Sequence, residues 1–547
     1  MSVKSTDRWW LPVFVLALAV TAIPVLITPM PPLLDYPNHY VRLWLLEGGA
    51  DLEPLARIYR IDWHGAYTNI FIDLVAVAAK GLVPVSIVGP AMLILALLLP
   101  GIGIATLAQH VHGRLTWWHL LCVILGWSQV FLLGFVNFQI SLGLALLGAA
   151  AVARLSHRSR TASMIVSVMF GGVLLVAHPF GLLLYAALVG GLAMGADWTS
   201  SKGSREILRG IQRAIVACMP LVFLVGLFWL LAPHPGDHQA GPPEATQWQS
   251  PWLIGNPAIL VSPFKTYHAH ADLIFVAAFA VPVVVAMLQG RLRRHGGLLL
   301  SATVLAVASL FMPSHYLGTG FIDIRLPLML WTTLAVALLP DIAAIGSRAV
   351  MATIMAMVVL FARAEGIGRI WLQRRSDLVA MDRVLARIPA GAAVLPLVQT
   401  LDHEHMRDLP LGRAVGGQVD FWHLATLAIL ERHAFVPTLF ANPGKQVVQV
   451  LPPYRLISVP EGALASVDRL GQPANAIDSH EYPYLAAWRC FDYILVTNAD
   501  VANAAGAMPI MPEISLVEDG GFARLYAIRH GGCPIPGLGA SVRTVSN

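Results

Sequence analysis

The chain has 547 residues, of which 57% are hydrophobic and only 12% charged, with a mean hydropathy of +0.68. A soluble globule of this size would carry about a quarter charged residues, so the composition excludes that class and predicts a polytopic α-helical membrane protein. The formal net charge of +5 reads as basic loops on the cytoplasmic side, and no basic tract with interleaved aromatics points to nucleic acid.

The first apolar run, Trp9 to Met30, ends in Ile27-Thr-Pro-Met-Pro-Pro32 with no small-residue cleavage site. It is therefore expected to stay in the mature chain as a membrane helix with residues 1–8 in the cytoplasm. Pro31-Pro-Leu-Leu-Asp-Tyr-Pro-Asn-His-Tyr-Val-Arg42 follows at once. If the chain is helical after Pro37, then Asp35, Asn38, His39 and Arg42 stand at i, i+3, i+4 and i+7, an acid, an amide, an imidazole and a guanidinium along one side. Asp35 is open to two readings. It is either the N-cap of an interfacial helix or a general base beside the bilayer, with cations nearby to hold a lipid phosphate. The stretch Tyr59–Asn69 adds Asp62 and His64, which ordinary loop solvation explains as well as binding does. Asp73 sits in an apolar context, where an ionisable group is a functional-site candidate or simply faces interfacial water.

Further apolar runs near 86–110, 116–133, 135–155, 162–178, 180–198, 208–232, 271–290, 297–312, 324–340 and 347–366 bring the expected total to about eleven spans. Three loops are basic: Arg154 to Arg160, Lys202 to Arg213, and Arg291 to Arg294. All three fall on the cytoplasmic side only if the short run 68–83 does not cross, so it is read as an interfacial or re-entrant helix. Segments 31–85, 233–270 and 313–323, and the chain after about 367, then share the outer face. His178-Pro179 ends there, either lining a cavity or packed. The 233–270 loop carries Asp237, His238, Lys265, Tyr267, His268 and His270. Its Tyr-His-Ala-His run lacks standard metal-ligand spacing, so a lid over a lipid-facing groove is expected instead. Ser314 to Pro327 contributes His315, Asp323 and Arg325. Arg325, at a helix start, is placed to clamp a phosphate, or else pairs with Asp323 or snorkels.

The expected membrane module is 1–368. After residue 369 the apolar runs shorten to strand length at Ala392–Leu397, Phe491–Thr497 and Phe522–Ile528, with a helical pattern over Phe421–His433 and a charged helix over Trp371–Asp382. This predicts an extracytoplasmic α/β domain over 369–547. Cys490 and Cys533 can pair there if the domain lies outside the membrane. The domain's sequence presents no catalytic set of its own.

On this topology, on Leu34-Asp35-Tyr36-Pro37-Asn38-His39 and on Gly320-Phe-Ile-Asp323-Ile-Arg325, the chain resembles the GT-C superfamily of integral-membrane glycosyltransferases. The resemblance implies a polyprenyl-phosphate or polyprenyl-diphosphate sugar donor, a lipid, glycan or protein acceptor, and an inverting transfer at the outer face of the bacterial cytoplasmic membrane. It makes Asp35 the base or acceptor-orienting acid. Asn38, His39, Arg42, Asp62, His64, Lys265, His315, Asp323 and Arg325 are the candidates for contact with substrate or phosphate. No cofactor is implied, no residue is assigned to a metal, and a divalent ion is left open. A transporter or flippase of an amphiphilic substrate, or a membrane scaffold, is the competing reading. The transporter predicts repeats and ionisable groups at helix midpoints, and the sequence has neither.

Overall fold

The computed structural model describes residues 10–196, 203–231, 257–315, 320–342, 346–399, 409–472, 482–501, 508–529, 533 and 535. Seven helices are long and apolar enough to cross a membrane, and four shorter apolar helical segments accompany them. Each coincides with one of the expected spans. The membrane-type helices are α1 (Trp10–Ile27), α4 (Val85–His112), α7 (Val136–Ser156), α8 (Arg160–Ala177), α9 (Pro179–Met194), α10 (Ser204–Leu231), α11 (Ala269–Leu288), α12 (Gly296–Phe311), α13 (Arg325–Ala337) and α14 (Ser347–Gln373). Helix α10 buries only Gly210 and Leu221 and exposes Phe223 and Trp229, the surface of a helix meant to face lipid.

The expected span 116–133 is not one helix. It breaks into α5 (Trp117–Leu121), a 3-10 turn over Cys122–Gly126, and α6 (Gln129–Leu132). Interrupted backbone at membrane depth is tolerated only where protein surrounds it, and residues 117–133 are buried throughout. The freed carbonyls find donors. Gln139 Nε2 donates to Gly126 O at 2.9 Å and Arg363 to Trp127 O at 3.1 Å. Arg363 also pairs with Asp272 at 2.8 Å.

The three basic loops meet at one end of the bundle. Strand β2 (Leu292–Arg294) pairs antiparallel with β3 (Leu338–Pro340), Arg114 and Arg293 both reach Asp341, and Arg213 and Arg154 donate to the carbonyls of Met194 and Thr106. Segment 31–85 starts and finishes at the other end. Its two helices are α2 (Tyr36–Glu47) and α3 (Phe71–Ala79). At 1.5 Å per residue, α3 is about 14 Å long, half a bilayer core. The Glu47 carboxylate accepts from Val85 N at 3.1 Å, so the chain enters α4 on the side where α2 lies.

The C-terminal region is built on a sheet of order β4-β8-β10-β9, from β4 (Val394–Val398), β8 (Tyr493–Thr497), β9 (Ile514–Asp519) and β10 (Ala523–Ile528). Strand β4 runs parallel to β8, and the other pairs are antiparallel. The three expected strands are β4, β8 and β10. Edge strand β9, largely exposed, lacks the apolar signal that marks the others. The charged helix appears as α15 (Arg375–Leu385), and the 421–433 pattern ends in α16 (Leu427–Arg432). Small strands β5 (Ala414–Val415) and β6 (Gln418–Val419) form a hairpin, and β7 (Val448–Val450) pairs with β1 (Tyr59–Ile61) of segment 31–85. Cys490 and Cys533 form a disulfide.

The expected division after residue 368 falls inside α14. Segment 31–85 also belongs to the C-terminal core, since Val41, Leu45, Leu55, Ile58 and Tyr59 pack in one cluster with Val394, Phe435 and Leu495. Helix α2 is correspondingly not a surface helix with a wet stripe. Tyr36 to His39, Val41 to Leu43, Leu45 and Leu46 are all buried.

Candidate functional site

A cavity of about 480 Å³ lies between the C-terminal region and the bundle end that carries segment 31–85. Its membrane wall comes from the entry to α2, the loop before α3, the start of α7, the α8–α9 corner and the α12–α13 loop. Its roof comes from Gln418, Trp422, His423, Phe440, Lys445, Gln446 and residues 461–463.

Asp35 sits where α2 begins. Pro37 follows in the first turn, which suits a ring with fixed φ and no N–H. The cap reading fails in its detail: the Asp35 backbone is helical (φ −90°, ψ −16°) and its side chain makes no capping hydrogen bond. The backbone is instead held from the broken helix, with Asp35 N donating to Leu133 O at 3.2 Å. This approach requires Gly134, whose φ is +85° and where a Cβ would stand 3.0 Å from the Asp35 and Tyr36 nitrogens. The Asp35 carboxylate lines the cavity, and Oδ1 lies 3.5 Å from His423 Nε2. One turn on, His39 lines the cavity against the Phe440 ring. Burial, with Arg42 and His423 adding to it, holds the His39 imidazole well below the usual histidine range, so it is neutral near pH 7.

Arg325 occupies the opposite part of the membrane wall. It is 7% exposed and its guanidinium stands 4.8, 5.6 and 6.0 Å from the ring centroids of Phe135, Phe180 and Phe138. Cation–π contact is strongest in such desolvated settings. The expected pairing with Asp323 is not made: Arg325 forms no ion pair among the described residues, and its Nε has no hydrogen-bond partner there. Asp35 and then Asp323 are the carboxylates that act on it through space. His315 lines the cavity beside Phe321. His178 does both things expected of it. It lines the cavity and is packed edge-on to Phe138, with Nδ1 accepting from Phe180 N at 3.2 Å.

Six of the candidate residues are elsewhere. Arg42 turns to Asp73, donating from Nε at 2.7 Å and from an Nη at 3.0 Å, and both side chains are 1% exposed. Two turns of α2 carry it about 10 Å past Asp35, into the α2–α3 interface. Asn38 donates to Thr438 O at 2.9 Å and accepts from Phe440 N at 2.8 Å, an amide spent on docking the roof. Asp62 accepts from Gln449 Nε2 at 2.8 Å and from His64 N at 3.0 Å, which supports the β1–β7 pairing, and His64 is exposed. Lys265 and Asp323 do not line the cavity. Of the expected lid, Asp237 and His238 lie outside the described residues.

The roof residues are what the sequence reading missed, because strand-length apolar runs and a helical pattern absorbed them. The run Phe421-Trp-His423 was the available signal. Left-handed backbone surrounds the cavity: Asn69 and Phe321, in its membrane wall, have φ of 61° and 58°, and Phe421, next to the roof residue Trp422, has φ of 57°. Such conformations in non-glycine residues persist only where surrounding structure over-determines them. Among the described residues, no three His, Cys, Asp or Glu side chains converge as a metal site.

Fold and site together define a polytopic helical membrane protein whose bundle and C-terminal α/β region close over one shared cavity. No family model matches the chain, and no curated protein matches it. Among solved structures it is similar to the crystal structure of ArnT from Cupriavidus metallidurans bound to undecaprenyl phosphate, over 95% of this chain and 98% of that one, at 13% identity and a TM-score of 0.44.

Proposed function

We propose that this protein is a membrane glycosyltransferase of GT-C type that moves a sugar from a polyprenyl-phosphate or polyprenyl-diphosphate donor to an acceptor on the outer face of the cytoplasmic membrane. The observation that carries the reading is the meeting, in one cavity at the bundle's end, of a guanidinium caged by phenylalanines, with no ion pair among the described residues, and a carboxylate at the lip of a membrane helix. An aromatic, lipid-level wall suits a prenyl phosphate arriving by lateral diffusion. The basic loops at the far end and the disulfide in the C-terminal region support an outward-facing cavity.

In the transfer, the acceptor hydroxyl oxygen bonds to the anomeric carbon as the carbon–oxygen bond to phosphate breaks, its electron pair leaving with the phosphate. Asp35 takes the hydroxyl proton and later releases it to solvent. Arg325 stabilises the charge that builds on the leaving phosphate. In a water-poor cavity that interaction is stronger than in bulk. The inverted configuration follows from a single displacement.

The test is transfer by purified protein from a panel of radiolabelled polyprenyl-phosphate sugars. Wild type should turn over at least one donor. Arg325→Gln should lower kcat/KM for the donor more than about tenfold, a change of about 1.4 kcal/mol in transition-state stabilisation, and Arg325→Lys should recover little because an ammonium does not stack as a planar guanidinium does. Absence of transfer across the panel, or full activity in Asp35→Asn, overturns the reading.

A further inference from the structure

We infer that His423, supplied by the C-terminal region, is the positioning residue for Asp35, so that the acid at the membrane lip is completed only when the roof is docked. This rests on the glycosyltransferase reading for its consequence, though not for its geometry.

His423 is 4% exposed and its ring is fixed on several sides. Phe440 packs edge-on with centroids 4.7 Å apart. Gly462 backs both rings: a Cβ there would fall 2.7 Å from His423 Cε1 and 2.7 Å from Phe440 Cε1. The backbone carbonyl of His423 accepts from the Thr426 hydroxyl at 2.7 Å. Thus held, Nε2 faces Asp35 Oδ1 at 3.5 Å, while Nδ1 is buried with no hydrogen-bond partner among the described residues. Since the ring nitrogen nearest the cavity's acid is already turned to Asp35, an Nε2–H there orients the carboxylate and leaves its other oxygen for the acceptor hydroxyl. This is the logic by which one member of a catalytic pair fixes the geometry of the other.

The register of the roof is set by the same helical turn that holds the acid. Asn38, three residues after Asp35, clamps Thr438 and Phe440, and Phe440 is the ring against which His423 rests. Docking α2 into the C-terminal core therefore places both ends of the pair at once. The other ionisable groups around it are His39, one turn along α2, on which His423 acts through space, and Arg325, on which Asp35 acts. Lys445 and Glu461 share the roof wall.

Two measurements on the full-length protein in nanodiscs test this. In histidine-labelled NMR at fixed pH, with the His423 signal assigned by its loss in His423→Gln, its Nε2 chemical shift should move in Asp35→Asn, because the group facing that nitrogen changes from a carboxylate to an amide. In donor-saturated transfer, His423→Ala should lower kcat on the order of 100-fold, as displaced catalytic groups do, with donor KM within about twofold of wild type. His423→Gln, which keeps a donor near the same place, should regain part of that loss at equal thermal stability. An unchanged Nε2 shift, or wild-type kcat in His423→Ala, overturns the inference. A moved Nε2 shift in a protein that transfers from no donor leaves the pair standing and removes the glycosyltransferase reading instead.

Discussion

Arg42 and Asp73 form a two-point ion pair buried between α2 and α3, each side chain 1% exposed. Removing one partner of such a pair strands a charge, which costs about 3–5 kcal/mol. Arg42→Ala and Asp73→Ala should each lower the unfolding midpoint in detergent by a comparable, large amount. Arg42→Met with Asp73→Leu should lose less than either. Activity per folded molecule should be little changed. A raised donor KM with unaltered stability would return Arg42 to the substrate.

Gly134 admits the loop that holds Asp35. Its φ of +85° and the 3.0 Å approach to two α2 nitrogens leave no room for a methyl, and strained positive φ costs of order 1–3 kcal/mol. Gly134→Ala should reduce transfer at least tenfold with a modest fall in stability. Gly172→Ala, where a Cβ meets nothing within 4 Å, is the control and should leave both unchanged.

Stability should respond to pH through two buried groups. Burial holds His39 below the usual range, so its contribution is complete above the unfolded value of about 6.5 and is lost as pH falls below it. Burial raises the Asp420 carboxyl well above the usual carboxylate range against the pull of Arg374, so its contribution is full below the unfolded value of about 3.9 and is lost as pH rises from there through the folded value. Each proton gives a slope of at most about 1.4 kcal/mol per pH unit. In thermal scans across pH, His39→Gln should flatten the loss below about pH 6.5, and Asp420→Asn the loss that sets in above about pH 3.9.

Sidedness is checked by labelling single cysteines in intact cells. His64→Cys, at an exposed position in the segment next to the cavity, should react with an impermeant maleimide. Arg158→Cys, exposed between α7 and α8, should react only after permeabilisation. The opposite pattern would invert the molecule.

The stripe Asp35, Asn38, His39, Arg42 shows where sequence reasoning stopped. Helical spacing put four polar side chains along one side. In the fold that side meets several neighbours: the cavity takes Asp35 and His39, the roof backbone takes Asn38, and α3 takes Arg42. Spacing specifies direction around a helix axis, whereas the partner met in that direction depends on chain hundreds of residues away. Asp62 fails as a site residue for the same reason, since its carboxylate meets Gln449.

Local chemistry decided what a local pattern can decide. Apolar length set the helices because unsatisfied backbone cannot stand in lipid, and the basic loops assigned three connections to one end. Strand-length runs gave β4, β8 and β10. Only the tertiary structure broke the 116–133 span, by surrounding it with donors that replace its lost helical bonds. Only it set His423 beside Asp35, because a contact across 388 residues is made by packing two surfaces together and leaves no periodicity in the chain.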